Sequence, residues 1–210
     1  MVIDLRKKTT LQELDHGIRV YQNFSKEHEF IKLLQMVESL EWRIVNVYND
    51  GIPEEMQEDG VKPHIDIKID SRYNKQNCHL LLHSDIGIFP EKPLERDLFD
   101  FLYGRLMNIF DVYAWQKIKT NANFCTDKII EHGYHVDRLP RTELSHTQLT
   151  GVLHLDDSDG YTKFQKDNIT VPSQANQLIV FPADLYHTGT TCTDQAVRRV
   201  ININFFGLPC

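Results

Sequence analysis

The sequence contains no CxxC pair. Its four cysteines, Cys78, Cys125, Cys192 and Cys210, are scattered along 210 residues, which argues against a thiolate zinc site or a disulfide framework and suits reduced thiols. No apolar run approaches the roughly 20 residues of a membrane span, and "MVIDLRKKTT" lacks the apolar centre of a signal peptide. A cytoplasmic protein with no membrane partner is the expectation. Repeats, low-complexity tracts and Gly/Ser linkers are missing as well. With 41% hydrophobic residues, the chain can bury a sizeable core as a single domain over 1–210, residues 1–116 supporting a β-rich part over 117–206. Positive charge is in deficit: 23 Lys and Arg face 30 Asp and Glu, for a net charge of -7, so a nucleic-acid partner is not expected.

What is present changes character along the chain. "IRVYQNF" reads as a strand, after which Ser25 is placed to cap a helix carrying Ile31, Leu34, Met36, Val37 and Leu40 at near-helical spacing. "WRIVNVYND" reads as a strand running into an Asp50-Gly51 turn. Residues 93–115 read as a second helix, with Pro93 in its first turn and Leu94, Leu98, Phe101, Leu102, Leu106 and Phe110 on one face. Thereafter short strands alternate with polar turns, over roughly 117–124, 128–136, 148–155, 161–164, 177–182, 185–191 and 197–206. Helices first and antiparallel strands afterwards indicate an α+β fold, a sandwich or barrel with helices on one face.

Histidine is plentiful, and three pairs share the spacing His-x-Asp: His64 with Asp66, His83 with Asp85, and His135 with Asp137. Residues i and i+2 of a strand point to one face, so such a pair offers an imidazole and a carboxylate side by side. That is two thirds of the facial triad used by non-haem Fe(II). In "HIDIKID" the charged residues alternate with Ile65, Ile67 and Ile69, which describes a strand with one wet and one buried face. "HLLLHSD" is an apolar strand ending in a polar turn, with no matched partner downstream. Only "YHVDRLP" is followed by a third candidate ligand, His187 in "NQLIVFPADLYHTG", and then by "RRVININFF". An arginine at the mouth of an apolar strand needs an anion, because an unpaired buried guanidinium costs several kcal/mol. A carboxylate co-substrate would meet that need through a bidentate pair.

In this order, His135-Val-Asp137, His187 and the arginine resemble the signature of the Fe(II)/2-oxoglutarate-dependent dioxygenases. "GVLHLDDSDGYTKF" is similar to that family's strand, loop and GGxTxF segment, most closely in the prolyl-hydroxylase-like and phage-type branches. The resemblance covers about residues 117–206. It implies a double-stranded β-helix, a cupin-like jelly roll with helices packed on its major sheet. It further implies Fe(II) held by His135, Asp137 and His187, 2-oxoglutarate and O2 as co-substrates, ascorbate as an admissible reductant, and hydroxylation of an unactivated C–H bond with release of succinate and CO2. Asp137 stands where related halogenases lack a carboxylate, which favours hydroxylation.

Arg198 and Arg199 face opposite sides of their strand. Arg198 shares a side with Val200, Asn202 and Asn204, and Arg199 with Ile201, Ile203 and Phe205. In the fold implied, the apolar row packs under the helices and the polar row lines the site, which selects Arg198 for 2-oxoglutarate, with Arg199 as the alternate. Asn121 and Asn123 alternate along the preceding strand and are candidates for contact with 2-oxoglutarate or substrate. Tyr134, Tyr161 and Thr162 are candidate pocket residues, while His132 and His154 read as supporting or surface residues rather than ligands. Two other classes stay open: a divalent-metal cupin-like hydrolase or isomerase, for which Arg198 would lack a purpose, and a non-catalytic β-sandwich interaction module. The primary substrate is not named by the sequence.

Overall fold

In a computed structural model of the protein, residues 8–47, 75–137 and 147–210 are described. The pair His64 and Asp66 and the Asp50-Gly51 turn lie outside the described residues. Among the described residues, eleven strands form two sheets. The larger has the order β1 (Thr10–Glu13), β2 (Arg19–Gln22), β9 (Gln177–Pro182), β6 (Gln148–His154), β11 (Val197–Pro209), β5 (Phe110–Phe124), β4 (Lys75–His83) and β3 (Arg43–Asn46). The smaller has the order β10 (His187–Gly189), β7 (Tyr161–Phe164) and β8 (Thr170–Pro172). Every pairing is antiparallel. Two opposed antiparallel sheets with helices on the outer face of one make the α+β double-stranded β-helix expected from the sequence.

The helices α1 (Glu27–Glu38) and α2 (Pro93–Leu106) cover the larger sheet. Leu33, Met36 and Val37 of α1 and Leu98, Leu102 and Leu106 of α2 share one core with Ile118, Leu153, Ile201, Ile203 and Phe205 of the sheet. A second core, with Val20, Val152, Phe164, Ile179, Phe181 and Val200, fills the space between the sheets. The alternation in β11 therefore sorts its residues as expected: Ile201, Ile203 and Phe205 go under the helices, and Arg198, Val200, Asn202 and Asn204 face the inter-sheet cavity.

Several local expectations are corrected. Ser25 does not cap α1. The cap position is Lys26, whose backbone N–H donates to Glu29 at 2.9 Å, while Ser25 is locked to Asn176 through its amide, hydroxyl and carbonyl. The buried stripe of α1 is Phe30, Leu33, Met36 and Val37, leaving Ile31 48% exposed. The helix starting at Pro93 ends at Leu106, not at 115, because residues from Phe110 onward pair with the end of β11 and become the start of β5. Helical and extended spacing are hard to tell apart in a short apolar stretch, and here the sheet decides. Residues 128–136 form no regular strand, and 185–191 contributes only His187–Gly189. The strands β1 and β8 have no counterpart in the sequence reading.

Phe205 is fully buried between Phe110 and Trp115, with ring centroids at 5.5 and 6.0 Å. Its replacement leaves a cavity at the seam between α2 and the sheet. Phe205→Ala should cost about 3–5 kcal/mol in urea unfolding of the metal-free protein, whereas Ile31→Ala on the exposed side of α1 should change stability by less than about 1 kcal/mol.

Candidate metal and co-substrate site

His187 opens β10, delivered to the cavity by the turn after Pro182. The backbone of His135 pairs with it reciprocally, each amide donating to the other's carbonyl at 3.0 Å. A second isolated bridge joins Glu131 to Thr190. Four residues separate Glu131 from His135 but only three separate Thr190 from His187, so the register slips by one between the bridges. Gly133, at a φ of 96°, lies within that slip and supplies the left-handed backbone a bulge needs. This is why 128–136 is not a strand: the extra residue breaks the ladder while re-aiming His135. Asp137 is then fixed by its amide, which donates to the Ala183 carbonyl at 2.9 Å.

These constraints bring three side chains together. The donor atoms of His135, Asp137 and His187 all lie within 4.8 Å of one another. His187 Nε2 is 3.6 Å from Asp137 Oδ2, and His135 Nε2 is 3.9 Å from Asp137 Oδ1. His187 Nδ1 is 3.0 Å from the Leu185 carbonyl, a contact only Nδ1–H can make, which leaves the Nε2 lone pair toward the other two. On Asp137, Oδ2 accepts from Thr150 Oγ1 at 3.0 Å and Asn204 Nδ2 at 3.1 Å, and Asn204 also donates to Thr150 Oγ1.

Protonation suits a cation. Burial pushes the Asp137 carboxyl up, but His187, His135, Lys117 and the Asn204 hydrogen bond together outweigh it and hold Asp137 at about 2. Burial and the neighbouring His135 lower His187 to about 4, against an opposing pull from Asp137. A carboxylate and a neutral imidazole therefore face each other at neutral pH, the forms that bind metal.

The second feature is Arg198, 2% exposed and among the largest fully buried side chains. Its Nε donates to Ser173 Oγ at 2.6 Å, Nη1 to the Thr190 carbonyl at 3.3 Å, and Nη2 to His154 Nε2 at 3.3 Å. No carboxylate pairs with it among the described residues, and burial lowers it to about 10. A Cβ on Gly160 would lie 2.6 Å from Arg198 Cδ and 2.7 Å from the Thr191 carbonyl, so only glycine allows the arginine this path. Arg199 points the other way. It makes a multidentate pair with Asp156, the shortest distance being 2.6 Å, and reaches Glu38 of α1 at 3.1 Å.

One cavity of about 260 Å³ joins the triad to Arg198. Asn121 and Asn123 line it, opposite Val200 and Arg198 of β11, and the Oδ1 of each is buried with no hydrogen-bond partner. Among the pocket candidates, Thr162 lines the cavity and bonds His154, whereas Tyr161 is directed to Glu131. His132, read from the sequence as a supporting or surface residue, is buried and lines the cavity. The pair His83 and Asp85 gains no third ligand among the described residues. Sequence reasoning missed Thr150, Ser173 and Gly160 as supports, and placed Asn204 in the row lining the site without its partner Asp137. A threonine within the fully buried strand β6 is the one signal that marks such a role beforehand.

Against known proteins, no protein-family model matches the chain, and no curated protein matches it by sequence. Solved structures do match by fold. An oxidoreductase of the 2OG-Fe(II) oxygenase family from Burkholderia pseudomallei superposes with a TM-score of 0.60 at 12% identity, covering 91% of this chain and 86% of that one. A prolyl-4-hydroxylase from Pseudomonas putida gives 0.52 at 11% identity over 92% and 94%. HygX from Streptomyces hygroscopicus, with nickel and 2-oxoglutarate bound, gives 0.52 at 9% identity over 91% and 83%.

Buried histidines make stability depend on pH. Burial, then Arg198 and His135, lower His132 to about 4, and burial and Arg198 lower His154 well below the ordinary range. Both fold neutral and take up protons more readily when unfolded, so stability is lost as pH falls below about 6.5 toward the folded value. Urea unfolding of the metal-free protein should show a loss of up to ~3 kcal/mol from His132 over that window, reduced in His132→Asn; a flat profile from pH 6.5 to 4.5 would contradict this reading. What the fold comparisons establish is that the chain has the fold of the 2-oxoglutarate- and Fe(II)-dependent oxygenases.

Proposed function

We propose that the protein is an Fe(II)- and 2-oxoglutarate-dependent oxygenase that hydroxylates an unactivated C–H bond. The observation that carries this reading is the pairing, in one cavity, of a His-Asp-His cluster with a buried arginine that has no carboxylate partner among the described residues. A hydrolytic metal site explains the cluster but gives a fully buried guanidinium no task. A binding module explains neither.

The residues fit the cofactors. His135, Asp137 and His187 would hold Fe(II), two neutral imidazoles and one carboxylate being the donor set of a facial triad. Arg198 would hold the distal carboxylate of 2-oxoglutarate. Three of its five N–H donors are used by Ser173, Thr190 and His154, leaving one on each terminal nitrogen for a carboxylate. Asn121 and Asn123, with unpartnered oxygens beside that arginine, would contact 2-oxoglutarate or substrate. When bound, Fe(II) and 2-oxoglutarate supply, with O2, the oxidising power for hydroxylation, 2-oxoglutarate leaving as succinate and CO2.

The chain's own contribution is orientation and electrostatics. Thr150 and Asn204 occupy Oδ2 of Asp137, so the carboxylate is held in one rotamer. His154 and Ser173 fix the guanidinium plane, and Gly160 gives it room. Val47, Val152 and Val200 form the apolar part of the cavity wall.

Anaerobic addition of Fe(II) and then 2-oxoglutarate should produce the visible charge-transfer band of a chelated keto acid. Tight zinc binding with no such band would favour the hydrolytic alternative. Arg198→Ala and Gly160→Ala should each weaken 2-oxoglutarate binding by about 30-fold or more, the scale of ~2–5 kcal/mol for removing one partner of a buried charge pair. Arg199→Ala should lower stability and leave 2-oxoglutarate affinity within about 2-fold; the reverse pattern would transfer the co-substrate to Arg199.

A further inference from the structure

The cavity carries more positive charge than the proposed cofactors need. Its only acidic lining residue among those described is Asp137, against Lys117, Lys119 and Arg198. The whole chain has the opposite bias, 30 acidic against 23 basic residues. If the oxygenase reading holds, Fe(II), the Asp137 carboxylate, the 2-oxoglutarate dianion and the Arg198 guanidinium sum to no net charge. Two lysine ammoniums remain.

Both are built into the wall rather than scattered on the surface. Lys117 and Lys119 are half-buried on β5, in the row that continues through Asn121 and Asn123 on the cavity side. Lys119 stands opposite Asn202 of β11, and Lys117 opposite Asn204, which holds Asp137. Neither lysine side chain has a hydrogen bond or ion pair to another described residue. Lys117 helps keep Asp137 ionised, which explains part of one charge. It leaves Lys119, whose ammonium burial disfavours, without a structural reason among the described residues.

The lysines stand apart from Arg198 along the sheet. Arg198 is registered with Asn123, four residues from Lys119 and six from Lys117 along a regular stretch of β5. At about 3.4 Å per residue, these are backbone separations of ~14 and ~20 Å along the strand. The cavity thus has cationic side chains toward each end, with the triad beside the lysine end.

We propose that the primary substrate is a small molecule bearing an anionic group, a carboxylate or a phosphate, and that Lys117 and Lys119 hold that group so that a neighbouring C–H bond faces the triad. This rests on the oxygenase reading and narrows its substrate class. Lysine suits the role because a mobile point charge accepts either kind of anion without a bidentate geometry. The cavity volume of about 260 Å³ is on the scale of a small ligand.

The test is a screen on the full chain loaded with Ni(II) and 2-oxoglutarate, read by thermal shift and then by titration of each hit. The panel pairs small monocarboxylates and phosphate monoesters with their amides and alcohols, so its arms separate carboxylate from phosphate. Anionic members should stabilise the protein and their neutral counterparts should not. Lys119→Met should weaken the best anionic hit tenfold or more, and Lys117→Met by a similar or smaller factor, with 2-oxoglutarate affinity changed less than 3-fold. The proposal is overturned if neutral or cationic molecules bind best, if no anionic member binds at millimolar concentration, or if neither substitution weakens the hit. Loss of 2-oxoglutarate affinity in Lys119→Met would overturn it too, by assigning the lysine to the co-substrate. A wild-type protein that takes up neither Ni(II) nor 2-oxoglutarate would instead refute the oxygenase reading itself, an outcome distinct from a loaded protein that prefers neutral ligands.

Discussion

The site depends on one pair of backbone hydrogen bonds, those exchanged between His135 and His187. Residues 128–136 have no ladder of their own, so this bridge and its neighbour at Glu131 and Thr190 are the backbone bridges that tie the His-x-Asp segment to the smaller sheet, with Tyr161 and Lys163 of β7 adding side-chain contacts to Glu131. The bridge makes two imidazoles adjacent, with centroids 4.4 Å apart, before any side-chain interaction is considered. The single-residue slip at Gly133 sets which way His135 points, and the Asp137 amide on Ala183 completes the frame. Side-chain electrostatics then act on a fixed geometry: Asp137 can stay ionised while buried because two rings, a lysine and an asparagine are already placed around it.

The larger sheet supplies the other half of the cavity by simple alternation. Along β11 the same strand that packs Ile201, Ile203 and Phe205 beneath the helices presents Arg198, Asn202 and Asn204 to the opposite face. Along β5 the paired row runs from Asn123 to Lys117. The helices therefore serve the site indirectly: by burying one row of each strand, they fix the register that carries the polar row inward. Arg199 belongs to this outer layer, stapling α1 to the loop after β6 through Glu38 and Asp156.

How much of this was legible in the sequence follows from how local each feature is. Alternation in β11 is local, so the opposite facing of Arg198 and Arg199 could be read from letters. So could the order of His135, Asp137 and His187, because a ligand pair two apart and a later histidine after a strand stop are short-range patterns. The bulge at Gly133 could not, since a glycine looks alike in a turn, a strand or a slip until its partner strand is known. The end of α2 differs from the sequence reading for the same reason: Phe110 fits a helical stripe, and only its pairing with Pro209, about a hundred residues on, makes it extended. Ser173 and Gly160 hold Arg198 from a loop and a strand entrance with no sequence pattern linking them to it. The lysines of β5 were visible as letters, but their meaning required knowing which face of that strand is interior.

The central claim is that one cavity holds a metal on His135, Asp137 and His187 and a diacid on Arg198. The most direct measurement is a crystal structure grown anaerobically with Fe(II) and 2-oxoglutarate, with anomalous data collected at the iron edge. The account predicts an anomalous peak bonded to His135, Asp137 and His187, with the distal carboxylate of 2-oxoglutarate on Arg198. An anomalous peak at any other residues, or 2-oxoglutarate density ending on a group other than Arg198, would contradict it.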